Sequence, residues 1–241
     1  YAPWARVGRD WTQLRGETIR KLPFPFDAYR RGQRPLAASV YRAIRDEDRL
    51  FCQAPTGVGK TMSTLFPAIK AMGEDLTSRI FYLTAKTIAG TVPDQALTLL
   101  REHGLKFSSV MLTAKEKICL NETMECDAEH CPYAKGHFDR VNAALFEMIT
   151  QEERMDREVI RSYAERYRVC PFELGLDASL FADTIIGDYN YVFDPRVNLN
   201  MLRTALINTR RLNKALQDML HNMDKFFARL LEPVSYTHLT L

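Results

Sequence analysis

Apolar positions along this chain follow two rhythms. Short runs, Leu50-Phe51-Cys52, Ile80-Phe81-Tyr82-Leu83, Ser109-Val110-Met111-Leu112 and Thr184-Ile185-Ile186, read as strands, the first of them buried. Between them apolar residues recur at helical spacing. A helix is predicted over 34–45, with Leu36, Val40, Tyr41 and Ile44 on one side, and further helices over 61–72 and 91–103. Pro67 falls inside the second of these and is expected to bend it. Strands alternating with helices predict a parallel α/β sheet.

The rhythm breaks at residue 115. Four cysteines and a charged helical stretch over 140–168 follow, and the strand pattern returns only at Thr184. We read 23–114 as the first part of the α/β domain, 115–175 as an insertion and 176–198 as its continuation. A second helical rhythm, carried by Leu199, Leu202, Leu206, Leu212, Leu216, Met219, Met223, Phe226, Phe227 and Leu230, predicts a helical segment over 199–232 that packs against a neighbour. Residues 1–22, with Trp4, Trp11 and several arginines, read as a linker from an upstream region. Pro23-Phe24-Pro25-Phe26 fixes an extended segment after them, because each proline biases the preceding residue away from helix. Residues 233–241 show neither rhythm and read as a non-native tail.

Composition narrows the classes. The chain has 241 residues, 46% hydrophobic and 26% charged, which suits an ordinary globular core. A net charge of +3 is too mild to demand nucleic acid, so any DNA site must be a local groove. No apolar run approaches a membrane span, so no membrane partner is expected. Five cysteines without secretory features point to a reducing, cytoplasmic location and a metal or cluster site rather than disulfides.

The most specific local signal is Ala54-Pro55-Thr56-Gly57-Val58-Gly59-Lys60-Thr61, which fits the P-loop pattern apart from Ala at its first position. Glycines let backbone N–H groups turn onto phosphate oxygens, and the helix that follows aims its positive end at the same anion. In that role Thr56, Gly57, Val58 and Gly59 form the cradle. Lys60 reaches the β- and γ-phosphates, and the Thr61 hydroxyl holds Mg²⁺. ATP and Mg²⁺ are the implied cofactors. Upstream, Gln33 offers one donor and one acceptor, which suits an adenine edge, although a lone Gln is more often a surface residue.

Cys119, Cys126, Cys131 and Cys170 are separated by 6, 4 and 38 residues, and Pro132 and Pro171 follow the last two. Four thiolates suit either a [4Fe–4S] cluster or zinc, and these spacings match neither ordinary ferredoxin runs nor zinc-finger pairs. His130 and His137 flank Cys131; each could replace a thiolate or lie exposed in the loop. Cys52 reads as a small buried hydrophobe.

Taken together, these residues resemble the XPD/DinG family of superfamily 2 DNA helicases. The loop 54–61 looks like that family's motif I, and Arg30-Arg31-Gly32-Gln33 looks like its adenine-recognising segment. Tyr82-Leu83-Thr84-Ala85-Lys86-Thr87 is similar to motif Ia, which implies DNA contacts from Lys86 and Thr87. Lys115-Glu116-Lys117-Ile118-Cys119 looks like the entry to the family's cluster domain, and the four cysteines match its ligands in order. Asp188-Tyr189-Asn190-Tyr191-Val192-Phe193-Asp194-Pro195 resembles the turn before the DEAH box; outside the resemblance, Tyr189 and Tyr191 either stack on a base or pack the turn.

The resemblance implies a RecA-like P-loop sheet with an inserted four-cysteine iron–sulfur domain. It also implies a [4Fe–4S] cofactor, single-stranded or forked DNA as partner, and a 5′-to-3′ ATP-dependent helicase as the parent activity. Two departures follow. No Asp-Glu-Ala-His comes after Pro195, and no second motor lobe with its arginine finger is found. The chain is therefore expected to bind ATP, hydrolyse it poorly and not unwind DNA alone. The alternative is a non-catalytic module that binds nucleotide, metal and nucleic acid; a zinc-bearing P-loop regulator unrelated to DNA is a third reading.

Overall fold

The computed structural model describes residues 2–85 and 91–193. The expected DNA contacts Lys86 and Thr87, the helical segment 199–232 and the tail 233–241 lie outside the described residues. The chain divides into two compact units, one running to Asp188 and the other beginning at Tyr189.

Among the described residues, four parallel strands form the sheet of the first unit: β1 (Ile80–Thr84), β2 (Ser109–Met111), β3 (Arg154–Met155) and β4 (Thr184–Asp188), in the order β1-β4-β2-β3. The central strand β4 pairs Ile80 with Thr184 through Thr84 with Asp188 on one side, and Ser109 with Thr184 on the other. Its residues Thr184, Ile185, Ile186 and Gly187 are all buried, as a strand covered on both faces requires. This parallel α/β sheet fits the RecA-like expectation.

Helices α1 (Ala2–Lys21), α2 (Gln33–Arg45), α3 (Lys60–Gly73) and α4 (Thr91–Glu102) belong to the first part of the chain. After them come α5 (Lys115–Ile118), α6 (His137–Gln151), α7 (Arg157–Tyr167) and α8 (Pro171–Ser179). The second unit contributes one described turn of helix, α9 (Asn190–Phe193), with Tyr189 exposed before it and Tyr191 buried within it.

The core gathers Leu65, Ile69 and Met72 of α3, Leu97 and Leu100 of α4, Phe107 and Ile186. Helix α3 is continuous through Pro67, which is buried. Ile19 of α1 and Leu22 join this same cluster, so residues read as a linker include a helix packed on the core. Gly73 makes room for it: a Cβ there would run into the Ile19 side chain.

A buried carboxylate fastens α1 to the sheet. Asp183, 3% exposed, accepts from Arg15 Nη1 at 2.5 Å, Trp11 Nε1 at 2.9 Å, and the Ser108 N–H and Oγ at 2.8 Å each. Ser108 Oγ in turn accepts the Asp183 N–H at 3.0 Å. A buried charge with this many donors satisfies its lone pairs.

Three sequence expectations are corrected. Leu50-Phe51-Cys52 is not a buried strand: it pairs with no strand, and Phe51 is 80% exposed. An apolar run becomes a strand only against a hydrogen-bonding edge, and among the described residues none lies beside it. Cys52, expected to be buried, is exposed for the same reason. The helical stretch 140–168 is two helices separated by β3, which pairs in parallel with β2 through Ser109–Arg154 and Val110–Met155. Asp156 restarts the helix by accepting the Val159 N–H at 2.9 Å, an N-cap.

Candidate nucleotide site and four-cysteine cavity

The loop 54–61 runs into the N-terminus of α3. Gly57 and Gly59 hold φ of +85° and +82°, a left-handed conformation that glycine adopts without steric cost. Gly59 is the N-cap, and its carbonyl accepts the Ser63 N–H and hydroxyl, each at 3.0 Å. Lys60 bends back across the loop, its Nζ donating to the carbonyls of Ala54 at 3.0 Å and Pro55 at 2.9 Å. Thr61 sits on the first turn of α3, with the Tyr82 hydroxyl of β1 at 3.5 Å from its Oγ1. The turn thus concentrates backbone N–H groups, a helix N-terminus, one ammonium and one hydroxyl, which together suit a polyphosphate.

The segment carrying Gln33 lies against this loop. Arg30 Nη1 donates to the Gly57 carbonyl at 2.9 Å, and the Arg30 N–H donates to Gln33 Oε1 at 2.9 Å. Gln33 itself is 2% exposed and pressed onto Gly59, where an added Cβ would meet its Nε2 at 2.7 Å. A cleft of about 420 Å³ opens beside it, lined by Arg31, Gly32 and Leu36 on one wall and by Gln53, Ala54, Pro55 and Val58 on the other. The structure therefore brings the two motifs together, with Gln33 supporting the loop from behind. Arg30 was not among the expected ligands. Its place three residues before Gln33 was the available signal.

The four cysteines also converge. Cys119, Cys126, Cys131 and Cys170 line one small cavity of about 30 Å³ together with Lys115 and Phe172. Cys119 follows α5, Cys131 closes a turn by donating its N–H to the Asp127 carbonyl at 3.0 Å, and Cys170 is the N-cap of α8 with Pro171 at its first position. Burial raises the Cys170 thiol above the ordinary range, against the Glu173 and Phe172 N–H groups that favour the thiolate. A hydrogen bond to Cys126 raises the Lys115 ammonium. Among the described residues no three His, Cys, Asp or Glu side chains gather closely enough to hold a single metal ion. The four thiols thus share one cavity without forming a ready single-ion site. His130 is exposed and pairs with Asp127 at 2.8 Å. His137 is 5% exposed, so it is no loop-surface histidine. Its Nδ1 accepts the Cys170 N–H at 3.1 Å, and burial lowers its pKa below the usual histidine value.

Asp188 ends β4 beside Thr84 at the edge of the first unit. Among the described residues no helix is long and apolar enough to cross a membrane.

Comparison with known proteins gives three findings. A family model described as "JetA: Wadjet protein JetA" matches residues 186–240, short of half the chain. A protein of Methanocaldococcus jannaschii described as a probable ATP-dependent helicase is 25% identical over 167 residues, which is 69% of this chain and 25% of that protein. A solved structure described as an XPD helicase is 19% identical with a TM-score of 0.48, covering 71% of this chain and 30% of that one. The chain thus spans about a quarter of the length of the curated helicase it matches. That similarity supports a relationship to the helicase superfamily.

Proposed function

We propose that the first unit is the nucleotide-binding lobe of an ATP-dependent DNA helicase of the iron–sulfur type. The observation that carries this is the loop 54–61. Its two left-handed glycines, the ammonium of Lys60 and the Thr61 hydroxyl converge at the start of α3. On this reading Lys60 leaves its own loop carbonyls for the phosphates, Thr61 holds Mg²⁺, and the cleft beside Arg31 and Leu36 takes the base. The four cysteines hold a [4Fe–4S] cluster, whose ligands stand wider apart than those of one ion. Lys86 and Thr87 contact the phosphates of single-stranded DNA.

A second reading concerns activity. No Asp-Glu-Ala-His follows Pro195, and the JetA match begins at residue 186, close to the division of the chain after Asp188. Both support a change of descent near the end of β4, so that the chain couples a helicase-like lobe to a segment of another kind. Without an acid of that kind to hold the metal, turnover by these 241 residues is expected to be slow. DNA-dependent ATP hydrolysis by the 241-residue chain separates the readings. Nucleotide binding with little DNA-stimulated turnover supports a lobe that binds without cycling. Strong stimulation by single-stranded DNA, abolished by Lys60→Ala, would mean that the chain is a complete motor.

A further inference from the structure

Three of the cysteines arrive within one short loop, but Cys170 comes from beyond α6, β3 and α7. Holding such a distant segment in place costs closure entropy, which other contacts must offset. Lys115 lies over the Phe172 ring, and two residues of the first turn of α6 add hydrogen bonds. Arg140 donates from Nη2 to the Lys135 carbonyl at 2.7 Å and to the Arg168 carbonyl at 2.6 Å, and from Nε to the Tyr167 carbonyl at 2.9 Å.

Lys135 ends the turn that carries Cys131, since its N–H donates to the Cys131 carbonyl at 3.1 Å. Tyr167 and Arg168 close α7, where helix carbonyls lack intrahelical partners, and Arg168 turns the chain with φ of +53°. One guanidinium therefore grips both segments. Gly136 leaves it the space: at φ +69°, an added Cβ there would meet Arg140 Nη1 at 2.5 Å. The second contact is the His137 Nδ1, which accepts the Cys170 N–H at 3.1 Å. A ring nitrogen that accepts carries no proton, so this contact fixes the tautomer as well as the position of Cys170.

We propose that His137 and Arg140 are positioning residues that lock the Cys170 segment against the Cys131 turn and so assemble the four-cysteine cavity in advance of any metal. The inference rests on reading these cysteines as a ligand set, yet neither residue contributes a thiol, so bracing and ligation can be separated.

The test uses the 241-residue chain purified without oxygen. The variants are Arg140→Lys, which keeps the charge but cannot span both segments, His137→Phe, which removes the acceptor, and His137→Asn, which keeps an acceptor near the Nδ1 position. Circular dichroism melting identifies folded variants. Two quantities are read. One is iron and sulfide per chain, with the rate of iron loss to a ferrous chelator. The other, on chelator-treated reduced protein, is the rate at which diamide traps a disulfide between Cys170 and the 119–131 loop.

We expect Arg140→Lys and His137→Phe to lose iron about tenfold faster or more, in the range typical of outer partners of metal ligands. Disulfide trapping should slow by a similar factor, and His137→Asn should behave like the unaltered chain. Unchanged trapping in folded Arg140→Lys and His137→Phe overturns the proposal, as does a His137→Asn variant as impaired as His137→Phe. If Arg140→Lys does not fold, the two His137 variants decide. An unaltered chain with neither iron nor sulfide contradicts the cluster reading alone, while the trapping rates still judge the brace.

Discussion

Gly59 is the tightest point of the nucleotide site. Its left-handed φ strains any side chain, and a Cβ there would push the Gln33 amide, 2.7 Å away, out of place. Gly59→Ala is expected to cost about 1–3 kcal/mol in stability, from backbone strain alone, and to abolish nucleotide binding; urea unfolding and a nucleotide titration on the same sample check both. Asp177 gives a second expectation. Burial raises its pKa, with Glu173 adding to the shift and His137 opposing it. A carboxyl whose folded pKa lies above its unfolded value weakens the fold once it ionises. That cost is absent below the ordinary aspartate range of about pH 3.9 and grows as pH rises through the folded value. Asp177→Asn should therefore raise the melting temperature at neutral pH, and its advantage should shrink on acidification toward pH 4. An advantage that grows on acidification would contradict this assignment.

At the scale of elements, α1 is held by Asp183 and by the fit of Ile19 over Gly73. Asp183→Ala leaves the partly buried Arg15 unpaired and the Trp11 and Ser108 donors unmet, and a loss of about 3 kcal/mol is expected in urea unfolding. Removing the Asp156 cap of α7 by Asp156→Ala should cost about 1 kcal/mol, measured in the same way. The sequence made some of these elements legible and not others. Strands β1, β2 and β4 announced themselves as short apolar runs, and helices α2, α3 and α4 by their helical spacing. Helix α1 did not, since its apolar contacts come from Trp4, Trp11 and Ile19 among many arginines, and its partner Asp183 lies far along the chain. Strand β3 is too short for a period-2 pattern to register. Leu50-Phe51-Cys52 shows the reverse case, in which an apolar run lacks the neighbouring edge that would make it a strand.

At the scale of the whole molecule, both candidate sites were visible as residue sets but not as geometry. The 54–61 pattern anticipated a glycine turn into α3, because backbone conformation there follows from glycine positions. It did not indicate that Gln33 would be buried behind the loop, because that depends on how the 30–33 turn packs. The cysteine spacings suggested a common site, and His137 was visible only as a neighbour of Cys131; the contacts of His137 and Arg140 with the segment before Cys170 depend on tertiary packing.

The central claim is that the loop 54–61 binds the phosphates of ATP. Isothermal titration of the unaltered chain and of Lys60→Ala with ATP and Mg²⁺ tests it most directly. The account predicts one saturable site per chain, with affinity lowered at least tenfold by Lys60→Ala while the melting temperature stays within a few degrees. Binding that is undetectable in the folded, unaltered chain, or equally tight in Lys60→Ala, would contradict it.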